Sequence, residues 1–183
     1  MKMCELLGPY LTVESPTATL EDVDHYQREI LVECRENKRL ISGDVYYVAD
    51  TGLTASSIWA ANHGTQRSRL DTIADGSGTG AWSARSNDIA QWIQADLGEA
   101  MVVTEVVTQG RQAGGQWVKS YKLFYGETQN DLEEYGMVLP GNLDMNTKVT
   151  NIIEPPVLAR FVRINPQTWY AHISMRFDVM GCP

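Results

Sequence analysis

Trp59 is the residue whose type and surroundings most directly suggest chemistry. It sits between Ile58 and Ala60, in a stretch bounded by Ser56-Ser57 and Asn62-His63-Gly64 that reads as a loop rather than a strand. A large aromatic on a loop tip inserts at a membrane interface or stacks on the face of a sugar ring. The structural alternative is an indole folded back onto the body of the protein. His63 closes the same loop and adds a hydrogen bond or a pH-dependent charge, although a single loop histidine is more often only solvated. Catalysis has no comparable support. His25, His63 and His172 lie in unrelated contexts, none within GxSxG or HExxH. The Glu133-Glu134 pair falls in a polar stretch read as a loop, without the apolar setting that raises a carboxyl pKa. The expected activity is binding, not turnover.

The elements that must hold these residues are strands. From Leu40 onward, short apolar runs are separated by Gly, Asn, Asp, Ser and Pro, the punctuation of an all-β fold. Strands are predicted at 46–48, 92–97, 102–108, 120–125, 148–153, 160–164 and 173–180. The last is the best patterned: Ile173, Met175, Phe177 and Val179 alternate with Ser174, Arg176 and Asp178, the period of a half-buried strand. Pro166, lacking an N–H, is expected to end the run that contains Val162 and Ile164. No long helical periodicity follows residue 40, which argues against βαβ units and for an antiparallel sandwich or barrel. Long or Gly-rich loops at 57–68, 71–90 and 110–116 are where binding residues usually sit on such a scaffold.

A chain of 183 residues accommodates one domain with a full core and an extension. Its net charge of -8 argues against nucleic acid or other general polyanion binding. Much of that charge is local. In residues 1–33, Lys2 and Arg28 stand against Glu5, Glu14, Glu21, Asp22, Asp24, Glu29 and Glu33, so the remaining body is nearer neutral and able to carry a basic patch. Within this acidic extension, Thr19 to Asp22 followed by Val23, Tyr26, Ile30 and Leu31 predict a short helix. A loosely held leader is the alternative. No apolar run approaches the roughly 18 residues of a membrane span. Glu5 and Gly8-Pro9 interrupt the apolar core a secretion signal would need. The cysteines, Cys4, Cys34 and Cys182, form no CxxC pair or zinc spacing.

The order of short motifs resembles the coagulation factor V/VIII type C, or discoidin, domain family. The matching residues are Thr54-Ala55-Ser56-Ser57, Ser68-Arg69-Leu70, Ala81-Trp82, Trp92-Ile93-Gln94-Ala95-Asp96-Leu97-Gly98, Thr108-Gln109-Gly110 and Trp117-Val118-Lys119-Ser120-Tyr121-Lys122-Leu123. They continue through Gly141-Asn142-Leu143-Asp144, Arg160-Phe161-Val162-Arg163-Ile164, Pro166, Trp169 and Met175-Arg176-Phe177 to Gly181-Cys182. The pattern is most similar to neuropilin b domains and retinoschisin. The resemblance covers residues 34–182 and leaves 1–33 as the N-terminal extension. It implies a discoidin-like eight-stranded jelly-roll barrel, of the galactose-binding-like type, closed by a Cys34–Cys182 disulfide. Such a bond belongs to an oxidising compartment. The chain is therefore expected to be extracellular or at the cell surface and, having no clear leader, to be a fragment of a longer secreted protein.

The resemblance also implies a non-catalytic module whose ligand meets three projecting loops, here 57–64, 83–90 and 111–116. Their candidate ligand-binding residues are Ile58, Trp59, His63, Arg85, Asn87, Asp88, Arg111 and Gln112. In neuropilin b domains a second-loop aspartate grips a ligand arginine. The corresponding position here is Asn87, so that activity is not expected to transfer. Phosphatidylserine binding calls for apolar spikes beside basic residues such as Arg67, Arg85, Arg111 and Lys119, and the third loop lacks an apolar tip. A glycan or a cell-surface or matrix protein therefore ranks ahead of anionic phospholipid. A competing reading is a structural assembly domain, with Cys4 bonding another chain. Asp75-Gly76, Thr79 and Trp82 are similar to a structural calcium motif in bacterial sugar-binding relatives; a flexible Gly-Ser turn is the alternative. Trp82, Trp92, Trp117 and Trp169 are expected in the core, and Arg69, Arg160, Arg163 and Arg176 to pair with Asp96, Asp144 or Asp178.

Overall fold

Five long strands carry the fold, in a computed structural model that describes Cys34 and residues 37–183. In chain order the strands are β1 (Lys38–Arg39), β2 (Leu53–Ala55), β3 (Trp82–Ser83), β4 (Ile93–Gln109), β5 (Trp117–Thr128), β6 (Asp131–Pro140), β7 (Val149–Tyr170) and β8 (Ser174–Cys182). They form one antiparallel sheet, ordered β1-β8-β4-β7-β5-β6, with β2 added to β4 and β3 to β8. The all-β class is the one the sequence pattern predicts, and the eight strands match the number the family resemblance implies. The hydrogen-bonded path runs from β1 to β6 without closing. The expected extension at 1–33, its helix and Cys4 lie outside the described residues.

Two strands are longer than expected because they bend. The runs predicted at 92–97 and 102–108 are one strand, β4, and those at 148–153 and 160–164 are one strand, β7. The first half of β4 pairs with β2 and with the 161–164 part of β7, while its second half lies between β8 and the 149–159 part of β7. The register shifts between Asp96 and Met101, where Gly98 takes φ +88°, a conformation that glycine adopts without steric cost. Asp96 accepts the Gly98 N–H at 2.9 Å and receives Arg160 in a fork at 2.7 and 2.9 Å, holding β7 across this bend. Pro166 does not end β7; it sits beside a register shift against Ser120 and Tyr121, where the missing N–H is tolerated.

Two further expectations are corrected. Residues 46–48 are not a strand; Tyr47 makes only an isolated bridge to Ser42. The Glu133-Glu134 stretch is not a loop but part of β6, paired on one side with β5 alone. Its charged, exposed side chains hide the strand period and suit an edge that must not pair with another chain.

The core is built from β4, β5, β7 and β8 around Trp82, Tyr121, Leu123, Ile164 and Phe177. Trp82 is fully buried, whereas Trp92, Trp117 and Trp169 are half-buried. Arg163 covers the Trp92 ring at 4.2 Å, and Trp117 stacks on Tyr170 with ring centres 4.3 Å apart. Cys34 and Cys182 are bonded across a sequence separation of 148, with their Cα atoms 5.4 Å apart. On the chain-entropy model, closing so long a loop stabilises the fold by at most about 5 kcal/mol.

Strand β8 is not half-buried. Loops cover its second face, so Arg176 and Asp178 are buried along with Met175 and Phe177. Among the described residues they form no ion pair with each other or with another charge. Arg176 donates from Nε to Gly110 O at 2.7 Å, from Nη1 to Thr72 O at 2.9 Å and from Nη2 to Met145 O at 2.6 Å. Asp178 accepts the N–H groups of Ile41, Ser42 and Val179 and the Ser42 hydroxyl. Asp144 likewise takes backbone N–H groups, from Asn146 and Thr147. Of the expected arginine–aspartate pairs, Arg160–Asp96 forms. Arg69 instead reaches Asp50 and two carbonyls, and Arg163 reaches Gln94. Replacing Arg176 with Met is expected to cost about 3–5 kcal/mol in urea denaturation, because buried carbonyls lose their donor. Arg160→Met, at a partly exposed pair, should lower stability far less in the same measurement.

Candidate functional site

The first loop is tied down on both flanks while its aromatic stays out. Trp82 donates its indole N–H to Ser57 O at 3.0 Å, and the Trp59 N–H goes to Ser83 O at 2.9 Å. These bonds set the neighbouring side chains on opposite sides. Ile58 packs against the core, so it is not the apolar tip expected of it, and Trp59 is 57% exposed. A 3-10 turn, Ala61–His63, then brings His63 back to the same opening, its Nδ1 2.7 Å from Asn62 Oδ1.

The third loop supplies a fixed cation. Arg111 N–H bonds Gln116 O at 2.8 Å and Arg111 Nη1 donates to Gln116 Oε1 at 2.7 Å, so one residue holds both the loop and the guanidinium. The arginine stem lies where a Cβ on Gly114 would be, a path only glycine leaves open. Gln116 Oε1 also accepts from Ser174 Oγ at 3.0 Å, and Ser174 Oγ shares a 2.7 Å bond with Ser83 Oγ. This chain of buried polar groups forms the floor.

The fourth wall comes from the β7–β8 connection. Ala171 takes φ +58° and His172 N–H bonds back to Tyr170 O at 2.7 Å, a tight three-residue turn that is rare for a non-glycine residue. Asn87 clamps it from both sides, accepting the Ile173 N–H at 2.8 Å and donating to Ala171 O at 3.3 Å. His172 Nε2 lies 2.8 Å from Ala84 O; because that carbonyl can only accept, Nε2 carries the proton and Nδ1 is the acceptor of the neutral ring. The Trp59 ring stands edge-on to His172, with centroids 5.2 Å apart and planes at 83°.

Trp59, His63, Ser83, Arg111, Gln116 and His172 thereby line a cleft of about 310 Å³. The structure brings together three of the expected residues, Trp59, His63 and Arg111. It gives several others structural work. Asn87 holds the His172 turn, Asp88 accepts from Ala90 and Gln91, and Gln112 receives the Ala74 N–H. Arg85 is exposed, outside the cleft wall, with its backbone N–H bonded to Ser57 Oγ. Ser83, Gln116 and His172 also line the cleft, and nothing in the local sequence marks them as binding residues. A histidine between two strands carries no local mark of where it points; the pairing of β3 with β8, together with the Trp59 N–H bond to Ser83 O, brings it beside Trp59.

Burial, then the charges of Arg111 and His172, hold the His63 imidazole below its usual pKa, which favours the neutral ring at pH 7. Burial also lowers the Arg111 pKa.

The residues similar to a calcium motif do not fit a metal. Asp75 Oδ1 accepts from Ser77 N–H, Ser77 Oγ and Gly78 N–H, and lies 3.4 Å from Arg67 Nη1. Thr79 donates its hydroxyl to carbonyls. The oxygens of this loop converge on the buried guanidinium of Arg67 instead: Thr79 O at 2.6 Å, Ser77 Oγ at 3.0 Å, Gly78 O at 3.4 Å, and Ile73 O. A side-chain cation thus takes the acceptors a calcium ion would need.

Two outcomes are expected. EDTA should leave the thermal midpoint unchanged while Arg67→Met lowers stability by about 2 kcal/mol or more; a rise in midpoint on adding calcium would restore the metal. In an NMR titration His63 should protonate below pH 6.5, the ordinary value, and Arg111→Gln should move its midpoint part of the way up.

The comparisons agree with this architecture. The F5/8 type C domain family matches residues 52–179. Lactadherin of Sus scrofa is 40% identical over 111 residues, covering 56% of this chain and 27% of its own length, so the chain spans about a quarter of that relative. Wild-type discoidin II from Dictyostelium discoideum is 33% identical with a TM-score of 0.68, covering 72% of this chain and 54% of the other. The family 32 CBM from C. perfringens NanJ, solved in complex with galactose, shares the fold at 15% identity, with a TM-score of 0.57 and coverage of 79% and 99%. Its strand order and the match across residues 52–179 place the chain in the F5/8 type C domain family, as a ligand-binding module without catalytic function.

Proposed function

We propose that this domain is an extracellular recognition module that binds a glycan in the cleft between Trp59, His63, Arg111 and His172. One observation carries the reading: an exposed indole is held in a fixed orientation over a floor of fixed polar groups. A flat apolar face beside directional donors and acceptors is what a pyranose ring requires, because one side of the sugar is C–H and its rim is hydroxyl. The polar groups are mutually bonded before any ligand arrives, so little conformational entropy is lost on binding. The galactose bound to the C. perfringens neighbour supports a sugar ligand. The Cys34–Cys182 bond supports an oxidising, extracellular setting. The glycan would be carried by a cell surface or a matrix protein, which suits a role in adhesion.

Trp59→Ala is expected to weaken glycan binding at least about tenfold, since stacking and apolar burial together exceed 1.4 kcal/mol. Its thermal midpoint should stay close to that of the parent, because the ring is largely exposed. A glycan array and a melting curve on the same protein check both. Binding to phosphatidylserine vesicles with no response to any glycan would replace this reading with a lipid one.

A further inference from the structure

The cleft is cationic on a chain of net charge -8. Among the described residues no carboxylate lines it; its ionisable groups there are Arg111, His63 and His172. Arg111 also differs from the arginines around it. Arg39, Arg67, Arg69 and Arg160 each face an aspartate, and Arg176 is enclosed by carbonyl oxygens. The side chain of Arg111 has one hydrogen-bond partner among the described residues, the amide oxygen of Gln116. Its Nε–H is buried beneath Gly114 without an acceptor among the described residues, so a ligand in the cleft would meet the guanidinium through its Nη groups. A neutral sugar could meet this wall with a hydroxyl, but a hydroxyl would leave the guanidinium charge without a counter-ion. A planar anion would meet both the charge and the fork of N–H donors at once.

We infer that the cleft selects a sugar bearing a carboxylate, with the carboxylate on Arg111 and the ring against Trp59. The inference rests on the glycan reading and names the class of glycan. The two histidines complete the arrangement. His172, held by Ala84 O, offers Nδ1 to accept from a sugar hydroxyl. His63 lines the same cleft and is close enough to feel the charge of Arg111. Gln116 keeps the guanidinium in place from below, so the anion need not order the side chain as it binds.

The test is a two-dimensional NMR titration of the folded domain, reading the Trp59 indole N–H, with methyl galacturonoside, its methyl ester and methyl galactoside. The acid should bind about tenfold more tightly than the ester, the advantage expected of a charge-assisted fork. Arg111→Gln should bring that ratio close to one, Arg111→Lys should keep part of it, and Arg160→Gln, at a paired arginine, should leave it alone. Rising sodium chloride should reduce the ratio as well. If acid and ester bind the unmodified domain equally, selection by charge is wrong and the glycan reading stands. If none of the three sugars moves Trp59 and phosphatidylserine vesicles do, the glycan reading itself fails.

Discussion

The guanidinium of Arg176 is the contact on which the binding end of this domain depends. It is buried in the middle of β8 and divides its donors among Gly110, Thr72 and Met145, which belong to three different loops. Desolvating a charge is costly, and here the cost is offset by hydrogen bonds rather than by a carboxylate. The choice has a geometric consequence. A carboxylate would have consumed the fork at one place, whereas separate carbonyls let one side chain fix three segments of backbone. Gly110 immediately precedes Arg111, so a charge buried in a strand sets the position of the cation in the cleft. Asp178, two residues further along β8, does the complementary work on the N-H side by holding residues 41 and 42.

The loops are therefore rigid for reasons that differ from loop to loop. The 71–79 loop is wound around Arg67, the first loop hangs from Trp82 and Ser83, the third is closed by Gln116, and the β7–β8 turn is held by Asn87. Each device satisfies backbone or side-chain polar groups that a surface loop would otherwise leave to water. The polar residues thus divide into those that build the loops and those that line the cleft. Asn87, Asp88 and Gln112 belong to the first group, and Arg111 and His172 to the second. Residue type alone does not separate the groups, because an amide that clamps a turn and an amide that grips a sugar are chemically the same.

Most of the fold was legible because burial leaves a period in the sequence. The alternation in 173–180 and the ordered motifs from Thr54 to Cys182 were enough for the class, the strand number and the disulfide. The failures have physical causes. Edge strand β6 has one hydrogen-bonded side and few buried side chains, so its period is hidden by charge. Gly98 in β4, and Pro155-Pro156 and Pro166 in β7, read as strand ends because they punctuate a strand as they would a loop. In β8 the polar positions looked solvated, and loops distant in sequence bury them.

What the sequence determined by itself was the β architecture and the aromatic on a loop, since each depends on local pattern or residue type. Tertiary structure alone decided which polar residues meet. Ile58 and Trp59 are neighbours that point in opposite directions, while Trp59 and His172 are far apart in the chain and in edge contact in space. A binding site is a convergence of side chains from separate loops, and the pairing of the strands that carry them fixes that convergence.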